Sequence, residues 1–167
     1  GGLADAFDET KSAWETEYLE LKTVLTPEEY AAARASTLNA HYTQPIVIES
    51  MYQALENLGF TKGNILEPSM GVGNFFGMLP EKLNQSKLYG VELDSISGRI
   101  AKLLYPDANI QIKGFEKTDY PNDFFDVAIG NVPFGAYKVN DRQYDRYNFM
   151  IHDYFLAKTI DQLRPGG

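Results

Sequence analysis

A carboxylate, a proline and two glycines lie close together in the stretch Glu67-Pro68-Ser69-Met70-Gly71-Val72-Gly73. The apolar pair before them, Ile65-Leu66, predicts a buried strand that ends at the proline. The two glycines allow the backbone to approach a ligand closely, and they open the next predicted helix. Glu67 adds a hydrogen-bond acceptor at the end of the strand. The pattern therefore predicts a nucleotide-binding turn at the carboxyl edge of a parallel sheet.

A second carboxylate, Glu92, ends the next predicted strand, Lys87–Glu92, nineteen positions after Gly73. A carboxylate about 20 residues beyond a glycine-rich turn is placed to bind the two hydroxyls of a ribose. Glu92 stands in an otherwise apolar strand, which is a poor position for an acid that is only solvated. Asp94 fits that simpler role well, as the N-cap of the following helix. We therefore predict that Glu92 binds a ribose.

Two further strand ends carry aromatic and amide side chains. The predicted third strand, Asn109–Ile112, runs into Lys113-Gly114-Phe115-Glu116, where Phe115 is placed either to lie against an adenine ring or to pack in the core. The predicted fourth strand, Phe124–Ile129, is followed by Asn131-Val132-Pro133-Phe134. Alone, a sequence of the form Asn-Xaa-Pro-Phe indicates only a turn. Its meaning depends on the motifs that precede it.

The elements that must position these residues form an alternating pattern, which predicts an α/β fold with a parallel sheet and right-handed crossovers. Ligands of such sheets bind at the carboxyl ends of the strands. The predicted helices between and after the strands are Gly73–Leu83, Ser95–Leu104 and about Tyr147–Leu163. Their predicted apolar faces are Ile96, Ile100, Leu103 and Leu104 in the second helix, and Phe149, Leu156, Ile160 and Leu163 in the third.

The residues before the first strand predict helices without evident chemistry. Residues 1–38 are predicted to form an N-terminal helical extension, and residues 39–167 the core domain. The second helix of the extension begins with a capping box made by Thr26 and Glu29. A third helix follows a polar loop in which Thr43 is placed as the cap. The predicted buried stripe of that helix is Val47, Met51, Ala54, Leu55 and Leu58.

The composition excludes several classes of protein. The 167-residue chain is 44% hydrophobic and 23% charged, which is typical of one soluble domain. It has no apolar run near the ~20 residues of a membrane span and no signal-like start, so a cytoplasmic location is expected. It has no cysteine and only two histidines, so no metal site is predicted. A net charge of −8 argues against binding long duplex nucleic acid without another domain.

Taken in order, these motifs resemble those of S-adenosylmethionine-dependent methyltransferases that act on planar amino groups, chiefly adenine N6 in DNA. Their signature, Asn-Pro-Pro followed by Tyr or Phe, is similar to Asn131-Val132-Pro133-Phe134, in which valine replaces the first proline. The resemblance implies that the Asn131 side chain and the Val132 carbonyl accept hydrogen bonds from the target amino group. It implies that Phe134 stacks on the target ring, with Pro133 in the same catalytic turn.

The same resemblance implies S-adenosylmethionine as the cofactor. His41-Tyr42-Thr43-Gln44-Pro45 is similar to the upstream motif of the gamma order, in which Tyr and Thr contact the methionine end of the cofactor. Phe115 matches the aromatic residue at the cofactor adenine, although Gly114 stands where an acid is usual. The implied cofactor-binding residues are Tyr42, Thr43, Glu67, Pro68, Gly71, Gly73, Glu92 and Phe115.

The likeness covers residues 39–167 and is strongest to the adenine methylase portions of helicase–methylase proteins of phages and conjugative elements. It implies a Rossmann-like class I methyltransferase sheet in the order 3-2-1-4, truncated before the fifth strand of the family. We therefore expect a fragment, weak or inactive alone, of a longer polypeptide. DNA is the expected partner, through target-recognition or helicase regions outside this chain. A second copy is a candidate to cover the open sheet edge.

Two other classes of function remain open from the sequence. Enzymes with the same signature methylate a glutamine amide in a protein or a base in RNA, and an acidic chain suits a protein substrate better than DNA. Alternatively, the changes at Val132 and Gly114 mark a catalytically degenerate domain that only binds the cofactor or mediates assembly.

Overall fold

In a computed structural model, the chain forms a four-stranded sheet with helices around it, and the structure describes residues 3–39 and 42–167. His41, part of the predicted upstream motif, lies outside the described residues. The helices and strands are α1 (Glu15–Val24), α2 (Pro27–Asn39), α3 (Pro45–Asn57), β1 (Asn64–Glu67), α4 (Asn74–Gly77), β2 (Lys87–Glu92), α5 (Ser95–Leu104), β3 (Asn109–Ile112), β4 (Val127–Ala128) and α6 (Ile151–Gln162).

All four strands are parallel, and their order is β3-β2-β1-β4. This confirms the predicted fold class and strand order. The register aligns Glu67 of β1 with Gly90 of β2, and Glu92 of β2 with Ile112 of β3. The carboxyl ends of the strands therefore lie along one edge, where the predicted motifs follow them.

Beyond β4, the far edge of the sheet carries one isolated parallel bridge, between Phe125 and Leu163. Backbone hydrogen bonds accompany it, from Phe125 N to Gln162 O and from Arg164 N to Phe125 O, each 2.9 Å long. These bonds fix the chain after α6 beside the start of β4. A second copy of the chain as a cover for this edge stays a prediction.

The capping box that was predicted at the start of α2 is present. The Glu29 backbone N–H donates to Thr26 Oγ1 over 3.2 Å, and the Thr26 N–H donates to the Glu29 carboxylate over 3.1 Å. The predicted cap of α3 is wrong, because its N-cap is Gln44 and no side chain caps the helix. Pro45 at the first helical position has no N–H to satisfy, which reduces the need for a cap.

The predicted apolar faces of three helices are only partly confirmed. Met51 and Leu55 of α3, and Phe149 and Leu163 at the ends of α6, pack against the core, but most of the other predicted residues are exposed. Helix α5 buries Gly98 and Ala101, whereas Leu103 is 83% exposed. A Cβ at Gly98 would lie 2.8 Å from the Ile112 side chain, so the helix packs too closely on β3 for a large residue there. Helix α3 likewise buries Ile48 and Tyr52 instead of the predicted Val47 and Leu58. In α6 the buried residues are Ile151, Tyr154, Phe155, Lys158, Thr159 and Gln162, while Leu156 and Ile160 are exposed.

Two predicted helices are also shorter than expected. The helix after the glycine turn ends at Gly77, and a separate 3-10 turn covers Glu81–Leu83, because Pro80 lies between them. Helix α6 starts at Ile151 because Asn148 has a left-handed backbone, with φ +56°. Among the described residues, no helix is both long and apolar enough to cross a membrane.

Candidate functional site

A cavity of about 690 Å³ opens at the carboxyl ends of the four strands. The segment after each strand contributes to its wall, as expected for a parallel sheet. Eleven of the twelve predicted site residues line it, and Gly73 does not. The lining residues include Tyr42, Thr43, Glu67, Pro68, Gly71, Glu92, Phe115, Asn131, Val132, Pro133 and Phe134. The volume falls within the range of small-molecule and cofactor sites.

The glycine turn is held in place by β2. The Met70 N–H donates to the Val91 carbonyl over 3.0 Å, and the Gly71 N–H donates to Glu92 Oε2 over 2.7 Å. Gly71 has φ +56°, a left-handed conformation in which a side chain is disfavoured. These bonds fix the turn across the edge of the sheet and keep its backbone against the cavity.

Glu92 joins the first two strand ends. Its Oε1 accepts a 2.7 Å hydrogen bond from the Asp94 N–H, while Oε2 accepts the one from Gly71. Burial raises the pKa of the Glu92 carboxyl, and the backbone N–H donors oppose that shift. Each carboxylate oxygen has a second lone pair, so the group retains capacity to accept from a ligand diol. Asp94 caps α5 through a bond from the Ser97 N–H to its Oδ2, as the sequence indicated.

Gly73 belongs to the glycine turn but does not line the cavity. It is the N-cap of α4 with φ +87°, and a Cβ there would lie 2.5 Å from the Tyr105 ring. Gly59, at the end of α3, has nearly the same backbone, with φ +90°, but no atom lies within 4 Å of a Cβ built on it. The two positions differ in steric contact and not in backbone conformation.

This pair gives a direct prediction about stability. Gly59→Ala is expected to cost about 1 kcal/mol of unfolding free energy, from backbone strain alone. Gly73→Ala is expected to cost roughly 1–3 kcal/mol more, because the Tyr105 ring must move. Urea unfolding of both variants measures the difference. Equal losses in the two variants would show that Tyr105 does not pack against the turn as described.

Glu67 is the buried acid of the site. It is 2% exposed, and its Oε2 has no hydrogen-bond partner among the described residues. Burial, followed by the nearby charge of Glu92, raises the pKa of Glu67 well above its ordinary value of 4.5. An unpaired buried carboxyl group is costly unless it stays protonated or meets a cation. Glu67 lies in the wall of the cavity.

The raised pKa predicts a pH dependence of stability. Between pH 4.5 and the raised folded value, Glu67 binds a proton in the folded state but not in the unfolded state. Stability should therefore fall as pH rises through that window, by at most about 1.4 kcal/mol per pH unit from this group. Glu67→Gln removes the titrating carboxyl. The free energy of unfolding of the variant, relative to that of the wild type, should therefore increase as pH increases. Urea midpoints from pH 5 to pH 8 test this, and parallel curves would contradict it.

The turn after β4 reaches the same cavity. The Ser69 hydroxyl of the glycine turn donates to the Asn131 backbone carbonyl over 2.8 Å, and this bond joins the two motifs directly. Asn131 is exposed at the cavity wall, and Phe134 is 63% exposed. The structure thus brings together an amide, a backbone turn and an aromatic ring at the open side of the cavity. Ser69 was not among the predicted site residues, and nothing in its spacing indicated this bond.

Phe115 also lines the cavity. It is 2% exposed and packs against Phe155 of α6, with ring centroids 4.9 Å apart. Lys158 of α6 donates to the Phe115 backbone carbonyl over 2.8 Å and lies 5.0 Å from the centroid of its ring. Phe115 is therefore a core residue that also lines the cavity, and its contact with an adenine ring stays a prediction.

One wall of the cavity was missed by the sequence analysis. Ala32, Ala35 and Ser36 of α2 line it, although no chemistry was expected in the first 38 residues. Helix α2 is held against α5 by an ion pair of 2.6 Å between Glu29 and Arg99. Small side chains on that face keep the cavity open. The predicted domain boundary after residue 38 stays a prediction.

Comparisons with known proteins bear on the fold and on its context. No family model matches the chain. Defense against restriction protein B of Escherichia phage P1 is 36% identical over an alignment of 141 positions, which covers 78% of this chain and 6% of the phage protein. The chain is thus a distant homologue of a small part of that protein.

Two solved structures match the chain, and the first of them carries the comparison of the fold. Geranyl diphosphate methyltransferase, in complex with GPP and sinefungin, matches with a TM-score of 0.52 and 14% identity, over 88% of this chain and 60% of that one. An O-methyltransferase from Bacillus cereus, in complex with SAH, matches with a TM-score of 0.49 and 14% identity, over 94% of this chain and 70% of that one. The chain has a fold like that of the class I S-adenosylmethionine-dependent methyltransferases.

Proposed function

We propose that this methyltransferase-like domain transfers a methyl group from S-adenosylmethionine to the exocyclic amino group of adenine in DNA. The observation that carries the proposal is the 2.8 Å bond from Ser69 to the Asn131 carbonyl, which sets the Asn131–Phe134 turn against the glycine turn on one cavity. A donor site and an acceptor site for methyl transfer must share one cleft, because the reacting atoms must meet in line.

The residues present fit the cofactor. Glu67 supplies a buried carboxyl with an unpaired oxygen that can meet a positive charge. Glu92 offers acceptors for the ribose hydroxyls, Gly71 and Pro68 line the cavity beside it, and Tyr42 and Thr43 line it from the segment before α3. When bound, S-adenosylmethionine supplies a methyl group on a positively charged sulfur.

The chain's own residues would act by positioning. The adenine amino nitrogen is a weak nucleophile, because its lone pair is shared with the ring. The Asn131 Oδ1 and the Val132 carbonyl would accept hydrogen bonds from its two N–H groups and favour attack through the nitrogen lone pair. Pro133 limits the backbone conformations of that turn. The exposed ring of Phe134 would stack on the unpaired target base.

The phage relative supports DNA as the substrate. Its printed name concerns defence against restriction, and methylation of bases is a chemical means of blocking restriction cleavage. The acidic charge of the chain supports the alternative of a protein substrate, as the sequence already indicated. The DNA proposal therefore requires a local surface of opposite charge.

Transfer from labelled S-adenosylmethionine tests the proposal. The assay uses the longest polypeptide that carries this sequence, with DNA, RNA and protein as separate acceptors. Label in DNA, recovered as N6-methyladenine after digestion, is the expected result. Label in RNA or in a glutamine side chain would replace the proposed substrate by the corresponding alternative. Saturable cofactor binding without transfer to any acceptor would support a degenerate, cofactor-binding domain.

A further inference from the structure

An exposed segment after β4 carries aromatic and basic side chains at the open side of the cavity. We name it the aromatic–basic surface, and its members are Phe134, Tyr137, Lys138, Arg142 and Arg146. All five are exposed, and Phe134 and Tyr137 are 63% and 51% exposed. Phe134 and Tyr137 also line the cavity, so the surface is continuous with the candidate site.

This surface is more positive than a count of the charged residues in its segment suggests. Asp141 lies between the bases in the chain, but its carboxylate turns inward. Asp141 Oδ2 accepts a 2.7 Å hydrogen bond from the Tyr154 hydroxyl and lies 3.2 Å from Lys158 Nζ. The Asp141 side chain is 13% exposed, and the Lys158 side chain is 6% exposed. Asp141 is therefore neutralised within the fold.

The charged side chains of this segment that are exposed to solvent are mainly basic. Lys138, Arg142 and Arg146 are exposed, and Asp145 is the exposed acid of the same segment. Three positive charges against one negative charge leave an excess of two, on a chain with a net charge of −8. Such a local reversal of sign on an acidic protein favours an anionic partner at this surface.

Hydrogen bonds and a cation–π contact also hold the segment against the fold. The Tyr144 hydroxyl donates to Asp161 of α6 over 2.8 Å, and the Ile151 N–H donates to the Tyr137 carbonyl over 2.9 Å. The Arg146 guanidinium lies 4.6 Å from the centroid of the Tyr147 ring. A preorganised surface loses less conformational entropy on binding.

We propose that the aromatic–basic surface binds an unpaired nucleic-acid strand beside the target base, with Tyr137 as a stacking platform and Arg142 and Arg146 as phosphate contacts. Exposed rings interleaved with bases are the combination that binds single strands without a sequence requirement. The inference rests on the proposed function, which places the target base in the adjoining cavity. It deepens that function because it specifies that the substrate is an unpaired strand and not a closed duplex.

Fluorescence anisotropy of the full chain with a labelled 15-nucleotide DNA strand, its duplex and the matching RNA strand tests the inference. The single strand should bind more tightly than the duplex. Tyr137→Leu should weaken single-strand binding about 5- to 150-fold, which corresponds to the loss of one stacked base. The double variant Arg142→Gln and Arg146→Gln should weaken it and lower the salt slope of log K by about 1.4, for two lost phosphate contacts.

Lys102→Gln is the matched control, because Lys102 is an exposed base on α5 outside the surface. It should leave the affinity unchanged. Tighter binding of the duplex, no binding of either strand, or equal losses in the control and the double variant would overturn the inference. Methyl transfer is measured separately. Transfer without the expected binding pattern rejects only this inference, and the binding pattern without transfer rejects only the proposed function.

Discussion

Asn131→Ala, made in the longest polypeptide that carries this sequence, is expected to lower the rate of methyl transfer by about 10²- to 10³-fold. This is the usual effect of removing one preorganised polar group from an active site. Cofactor affinity should change little. The bond from Ser69 goes to the Asn131 backbone carbonyl, so the alanine variant retains the link between the two turns. Single-turnover transfer and calorimetric titration with S-adenosylhomocysteine measure the two quantities in parallel.

Two further variants control this experiment. Asn131→Asp retains an acceptor oxygen and should lose less activity than the alanine variant. Val132→Pro retains the backbone carbonyl and restores a second proline, so it should keep or raise the rate. Unimpaired transfer in Asn131→Ala would reject the assignment of this turn as the substrate site, whatever the other variants do.

Glu92→Ala is expected to weaken binding of S-adenosylhomocysteine by about 100-fold or more, because the two hydrogen bonds to a charged acceptor contribute about 1.5–3 kcal/mol each. The carboxylate also holds the Gly71 and Asp94 N–H groups, each over 2.7 Å. Its removal should therefore loosen the glycine turn in the absence of the cofactor. Calorimetry and hydrogen exchange of the Gly71 amide measure these two effects.

Asp94→Asn is the matched control for Glu92→Ala. Asp94 is a carboxylate two residues away that also lines the cavity, but its bond is the cap to Ser97. Asparagine is nearly as good an N-cap, so this variant should keep its affinity for the cofactor. If both variants bind equally well, Glu92 is a structural acid and the ribose lies elsewhere.

The parallel sheet and the placement of its motifs could be predicted from the sequence. Short apolar runs such as Ile65-Leu66, each followed by a polar motif, determine the strands, and parallel topology brings their carboxyl ends together. The predicted bounds of β2, α5 and β3 match the structure. The convergence of Glu67, Glu92 and Asn131 on one cavity follows from that topology alone.

The packing of the helices could not be predicted from apolar spacing. Helix α5 presents Gly98 and Ala101 to the sheet, because close approach to Ile112 excludes larger side chains. Helix α6 buries Lys158, whose ammonium bonds the Phe115 carbonyl and Asp141. A periodicity argument assigns a lysine to the solvent side. Such a lysine is buried because it donates hydrogen bonds to carbonyls and carboxylates of neighbouring loops. The positions of those loops cannot be read from the sequence.

The cavity wall formed by α2 could not be predicted from the sequence either. Alanine and serine on a helix near the start of the chain carry no chemical signal, yet Ala32 and Ser36 line the cavity. The interaction that places the helix, between Glu29 and Arg99, joins residues seventy positions apart. A single sequence offers no rule that pairs them.

The central claim is that the glycine turn, Glu92 and the Asn131–Phe134 turn serve one bound cofactor. A crystal structure of the chain with S-adenosylhomocysteine tests this most directly. We expect the ribose hydroxyls within hydrogen-bond distance of the Glu92 carboxylate and the sulfur facing the Asn131 side. A ligand bound outside this cavity, or an empty cavity at saturating ligand, would contradict the account.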